Sequence, residues 1–239
     1  MVLLGSLFLV CGLVCLIKTW INISNFSFGS IFQGAIRFNT YIGFAVVDSL
    51  LGSQALILSV IVVAIVIPTV NVISVLVLHY FSEEKIKMSM LNTLFSLLKN
   101  PLIFGCIVGI AMNILSFPTP QVLSITLSLI GSLLLPLGLM CIGAALVFSN
   151  FNSSSKLIIL SSFFKFFVYP LIGFCACLLF GLDQLTTQVV TIMCALPTAS
   201  AAYILSKKMG GDFQLMARIT TAQTLMSVIS LTILSSLLV

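Results

Sequence analysis

The sequence predicts an all-α polytopic membrane protein of about eight transmembrane helices. Three observations predict it. Hydrophobic residues make up 60% of the 239-residue chain and charged ones 6%, too little charge to cover a soluble core of that size. The chain breaks into long apolar stretches joined by short connections. When the connections are assigned alternately to two sides, nine of the ten basic residues fall on one side: Lys18, Arg37, Lys85, Lys87, Lys99, Lys156, Lys207, Lys208 and Arg218. Basic residues stay cytoplasmic during insertion, so both termini are expected outside.

The apolar stretches are Val2–Ile17, Thr40–Leu51, Ala55–His79, Pro101–Phe117, Val122–Phe148, Leu157–Phe180, Leu185–Ser206 and Phe213–Val239. Most approach the roughly 20 residues a helix needs to cross. Val2–Ile17 is short and has Trp20 as an interfacial anchor; no basic residue precedes it, so it does not read as a signal peptide. Thr40–Leu51 is too short alone, and Asn25–Phe38, with Gly29 and Gly34, supplies the other half of a broken span. Pro68, Pro136, Pro170 and Pro197 fall inside stretches, where each removes a backbone donor and forces a kink or an unwound turn. Ile86–Leu98 keeps apolar residues at helical spacing and is expected as an amphipathic helix on the inner surface.

Three regions follow: 1–79 as a partial first repeat of three spans, 80–100 as a cytoplasmic connection, and 101–239 as a second repeat of five spans. In the first half Asn39-Thr40 is followed, after eleven intervening residues, by Gly52; in the second Pro197-Thr198 is followed, after eleven intervening residues, by Gly210. Each unit ends an interrupted span and leads into a long helix, and the two run in opposite directions. That is an inverted repeat with broken helices at matching places. Unwound backbone and half-helix ends then offer partial charges at membrane depth, where transporters place their sites.

Few residues can carry chemistry. Lys165 lies nine residues beyond Lys156, hence about 13 Å deep along a helix. It could attract an anionic substrate, pair with Asp48, snorkel to the headgroups, or pair with backbone carbonyls near Pro170. Asp48 is either a protonatable coupling group or a solvated residue near the outer end beside Gly52. Asn71, Asn113 and Gln223 are polar residues within spans, fit for helix–helix hydrogen bonds. Gln223, ringed by Thr220, Thr221 and Thr224, is the better site candidate because its helix follows the Pro197-Thr198 break. His79 is the sole histidine and interfacial. No zinc site, nucleophile–base pair or phosphate loop can be assembled, so no enzyme, metal or cofactor is expected. The seven cysteines lie in apolar stretches and read as small apolar residues of a reduced chain. The cations form no stripe with interleaved aromatics, which excludes nucleic acid.

Several runs resemble the auxin efflux carrier family. Lys99-Asn100-Pro101-Leu102-Ile103 to Gly109 and Asn113 resembles the opening of its second half. Leu135-Pro136-Leu137-Gly138 to Gly143-Ala144-Ala145-Leu146 is similar to its next span, and Lys165 with Pro170 to the one after. Ala195-Leu196-Pro197-Thr198-Ala199, then Gly210-Gly211-Asp212, resembles its penultimate helix and turn. Gln33-Gly34, Arg37, Asn39-Thr40 and Gly52 resemble its first interrupted helix.

The resemblance implies a secondary carrier of organic anions with malate-permease-like bacterial members. It also implies a fold of two inverted five-span repeats, similar to bile-acid sodium symporters, in which a core of the last three spans of each repeat moves against a scaffold. A bacterial inner-membrane location is expected, with substrate contacts from Asn39, Thr40, Lys165, Pro197, Thr198 and Gln223; on the reading of the residues above, Asp48 is the ion-coupling candidate. The partners expected are the lipid bilayer and a small carboxylate; H+ or Na+ coupling and a homodimer are left open. There are departures. No proline lies between Asn39 and Gly52, and Ser200-Ala201-Ala202 stands where many members have an Asn. The eight spans align with the family's last eight, so the chain is expected to lack the first two, half the scaffold, and to transport poorly alone. An alternative is a non-transporting remnant or accessory subunit.

Overall fold

A computed structural model describes residues 2–81, 118–147 and 154–238, with a few positions between 108 and 115. The helices are α1 (Val2–Trp20), α2 (Asn25–Ile36), α3 (Thr40–Phe81), α4 (Gln121–Ala144), α5 (Ser155–Phe163), α6 (Tyr169–Leu179), α7 (Gln184–Cys194), α8 (Ala201–Lys208) and α9 (Phe213–Leu238). A π-helical turn, Phe164–Val168, joins α5 to α6. The expected helix Ile86–Leu98 and most of the span Pro101–Phe117 lie outside the described residues.

Among the described residues, five helical stretches are long and apolar enough to cross a membrane. One of them, Asn25–Phe81, holds 57 residues and two crossings. It breaks after Ile36 and turns at Gly52, where φ 78° and ψ −174° lie in a region open to glycine alone. Asn25–Leu51 rises about 40 Å at the helical pitch, enough for one crossing in two pieces. The pair α7–α8 makes a second broken crossing, with 11 and 8 residues on either side of residues 195–200. Gly210, which follows α8, also has positive φ, 66°. The two halves therefore share one plan: half-helix, unwound segment, half-helix, glycine turn, long helix.

Local chemistry explains the ends. The Ser24 hydroxyl caps α2 by accepting from the Ser27 amide at 3.2 Å. Asp183 caps α7, its carboxylate accepting from the Thr186 amide at 3.0 Å and the Thr186 hydroxyl at 2.7 Å. Asp212 caps α9 through the Leu215 amide at 2.9 Å. The π-turn sits just before Pro170, whose missing N–H lets the ladder slip by one residue. Pro68 and Pro136 lie inside α3 and α4.

The chain forms two compact units. Residues 87–144 form one; residues 1–86 and 145–239 form the other, which unites spans from both halves of the sequence. In the larger unit α2 is central: every residue from Phe28 to Ile36 is buried. It packs against α1, α3, α5, α8 and α9. Small residues allow this. A side chain at Gly34 would collide with the Ser161 hydroxyl, and with Ile219 at 2.7 Å. The first half of the second broken crossing is treated alike, with Thr187 to Cys194 all buried. Outward faces are apolar: Ile57, Ile61 and Ile65 form a stripe on α3, and Ile159, Phe163, Phe167 and Leu171 another. Such stripes suit lipid and not water. At one end of the unit, Lys18 donates to Asn25 at 2.8 Å and lies over the Phe81 ring. Ser27 donates to the Asp212 carboxylate at the same end.

Candidate functional site

The two unwound segments meet inside the larger unit. The Asn39 amide, between α2 and α3, donates to the Pro197 carbonyl, between α7 and α8, at 2.8 Å. Thr198 Oγ1 reaches the Gln33 carbonyl at 3.5 Å. Gly43, one turn into α3, lies against Leu196, whose nearest methyl would sit 2.6 Å from an added Cβ. An unwound helix leaves carbonyls and amides without partners, and burying them unpaired is costly. Here each break satisfies part of the other.

Gln223 of α9 completes the joint. Its Oε1 accepts from the Thr198 amide at 3.0 Å, and its Nε2 donates to the Gly34 carbonyl at 3.0 Å. One fully buried amide thus ties the second break to α2, one turn before the first. The flanking threonines do something different: Thr220, Thr221 and Thr224 donate to carbonyls one turn back in their own helix. Asn39 Oδ1 accepts from the Tyr41 and Ile42 amides at 3.1 and 3.4 Å, capping α3. Gln33 Nε2 donates to Ser206 of α8 at 2.8 Å.

Lys165 sits in the π-turn and is completely buried. Its Nζ has no hydrogen-bond partner among the described residues. Aromatic faces surround it: Tyr169 at 4.9 Å and Phe38, of the first break, at 5.8 Å. Cation–π attraction offsets part of the desolvation cost. The snorkelling alternative does not hold, because no part of this side chain reaches a surface. Pairing with Asp48 does not form either: Asp48 is exposed, nine residues along the helix from Asn39 and four before Gly52.

The structure therefore brings together Asn39, Pro197, Thr198 and Gln223 by direct bonds, with Thr40 at the start of α3. Lys165 stands behind Phe38, and Asp48 lies apart. Asn71 is buried in α3, His79 is exposed at its end, and Asn113 lies outside the described residues. No three His, Cys, Asp or Glu side chains converge among the described residues.

Arg37 requires a correction. Its charge groups it with Lys18 in the inner connection, but it caps the C-terminal end of α2, twelve residues beyond Asn25, and is buried. The Ser24 cap was the missed signal, since it starts the helix at Asn25 and carries Arg37 about 18 Å along. The part Gln33 plays as a tie to α8, and Ser161, had no signal in the sequence. Their partners lie 173 and 130 residues away, beyond any local pattern.

Residues 6–235 match a family described as "Membrane transport protein". Among curated proteins none matches the chain. The match spans both broken crossings and nearly the whole sequence, and it agrees with the apolar helices in making the chain an integral membrane protein in contact with lipid. The chain belongs to this family of membrane transport proteins, the auxin efflux carrier family.

Proposed function

We propose that the chain is a secondary carrier of a small organic anion such as a carboxylate, working by alternating access across a bacterial inner membrane with both termini outside. The observation that carries this reading is the bond between the Asn39 amide and the Pro197 carbonyl. Two crossings interrupted at the same depth and joined there leave main-chain dipoles where a polar solute needs them. The starts of α3 and α8 contribute positive ends, and Lys165 contributes a buried positive field behind Phe38. Asn39, Thr40, Pro197, Thr198 and Gln223 frame the site. Asp48, exposed on the half-helix that ends at Gly52 and apart from the joint, is our candidate to carry a coupling proton.

Binding tests the site directly. The purified chain in detergent, dialysed against labelled malate, pyruvate or indole acetate, should bind at least one of them saturably. Other carboxylates should compete and uncharged analogues should not. Binding to none of the three would remove the anion-carrier reading in favour of an accessory, non-transporting role. For coupling, Asp48→Asn should flatten the pH dependence of uptake into vesicles; an unaltered profile would leave Asp48 outside the mechanism.

A further inference from the structure

Two cations are buried beside the crossing, and they are not equivalent. Lys165 is enclosed, with aromatic rings over its ammonium group and no exposed surface. A substrate could feel its field but could not touch it without displacing Phe38 or Tyr169. Arg37 differs. It occupies the unwound segment itself, with φ −73° and ψ 153°. It is 8% exposed, and its Nη1 has no hydrogen-bond partner among the described residues.

The two neighbours in the break face different surroundings. Phe38 turns its ring toward Lys165, whereas Arg37 keeps a small exposed surface. Part-exposed residues of the crossing are Thr40, Tyr41, Ala199 and Ser200. Ser200 precedes α8 without capping it, and its hydroxyl also lacks a partner. The start of α3 is capped by Asn39; at the start of α8 the Ala202 and Tyr203 amides donate instead to the Ala199 and Ser200 carbonyls, which leaves the Ser200 hydroxyl unused. An orphaned guanidinium N–H in one break and an unused hydroxyl in the other thus belong to the two segments that the Asn39–Pro197 bond joins. Both can donate, and neither has a carboxylate partner among the described residues.

We infer that Arg37, rather than Lys165, makes the direct ionic contact with the carboxylate of the substrate, with Ser200 as its neutral companion. This rests on the anion-carrier reading above. A buried arginine with an unspent N–H is costly unless a ligand completes it. Its planar fork matches a carboxylate through two parallel bonds, which a lysine cannot reproduce. The choice of anion over neutral solute then lies in the break between α2 and α3.

The test is equilibrium binding of labelled malate and of its uncharged diamide, the latter by competition, to the purified chain. Wild type should prefer malate. Arg37→Gln should weaken malate more than tenfold and leave the diamide unchanged, so that the preference disappears. A merely structural role would weaken both together. Lys165→Met should reduce malate affinity less than Arg37→Gln does. Should Arg37→Gln fail to fold, Arg37→Lys carries the test: malate affinity lowered at least severalfold with the diamide unmoved supports the contact, and unchanged malate affinity overturns it. Malate bound by wild type and equally by Arg37→Gln would sink this inference alone. No probe bound by wild type would sink the anion-carrier reading as well.

Discussion

Gln223 shows how much of the site a single side chain holds. Its amide serves one donor from the second break and one acceptor from α2. Gln223→Ala leaves the Thr198 amide and the Gly34 carbonyl without it, at about 1–3 kcal/mol for each buried group left unsatisfied. Thermal melting in detergent should fall clearly. Gln223→Glu keeps the acceptor but loses the donor, and should fall between the two. A melting point unchanged by Gln223→Ala would mean that the joint does not depend on this amide. At this scale the residues legible in the sequence were those with an unusual setting: a proline–threonine pair in an apolar run, a glutamine among threonines, a lysine at depth. Each of these was visible against its neighbours. Arg37 was not, because a basic residue near a connection looks topogenic until the helix start is known. Ser161 and the tie that Gln33 makes to α8 were not, because a buried polar residue declares itself only through its distant partner.

At the level of elements, both interruptions could be read from span length: Thr40–Leu51 is too short to cross, and Pro197 divides the penultimate stretch. The π-turn at Lys165 could not, since one slipped hydrogen bond leaves the apolar pattern intact. Gly52 tests the turn. A side chain there meets no neighbour, so Gly52→Ala isolates the backbone cost, about 1–3 kcal/mol for a φ of 78°. A loss of stability by thermal melting is expected, and none would argue against the glycine-only geometry. Asp183 tests a cap. Its hydrogen bonds from Thr186 hold its carboxyl below the usual carboxylate range. A depressed folded value means that the cap stabilises fully above the unfolded value, near pH 4, and less as the pH falls through the folded one. Melting temperatures should drop on acidification below that point, and Asp183→Asn should lose part of that drop.

The whole molecule joins the two ends of the sequence in one unit, with residues 87–144 in another. Charge patterning can assign sides to connections, but it carries no information about which spans pack together. That choice depends on close approach at Gly34 and Gly43 and on the Asn39–Pro197 bond. Sidedness remains a direct prediction of the charge pattern. Single cysteines at Thr119 and Gln184 in a background lacking the native cysteines should react with an impermeant thiol reagent added outside. Cysteines at Ser82 and Ser154 should not, and the opposite result would invert the arrangement.

The bond between Asn39 and Pro197 has a consequence for how such a chain can diversify. Donor and acceptor are both main chain, so almost no point mutation can delete either. Replacing Asn39 with proline is the exception, because it removes the N–H itself. The side chains around the joint are free to drift while the joint persists. New solute preferences can therefore arise by ordinary substitution, one residue at a time, without the lineage having to rebuild the crossing on which transport depends.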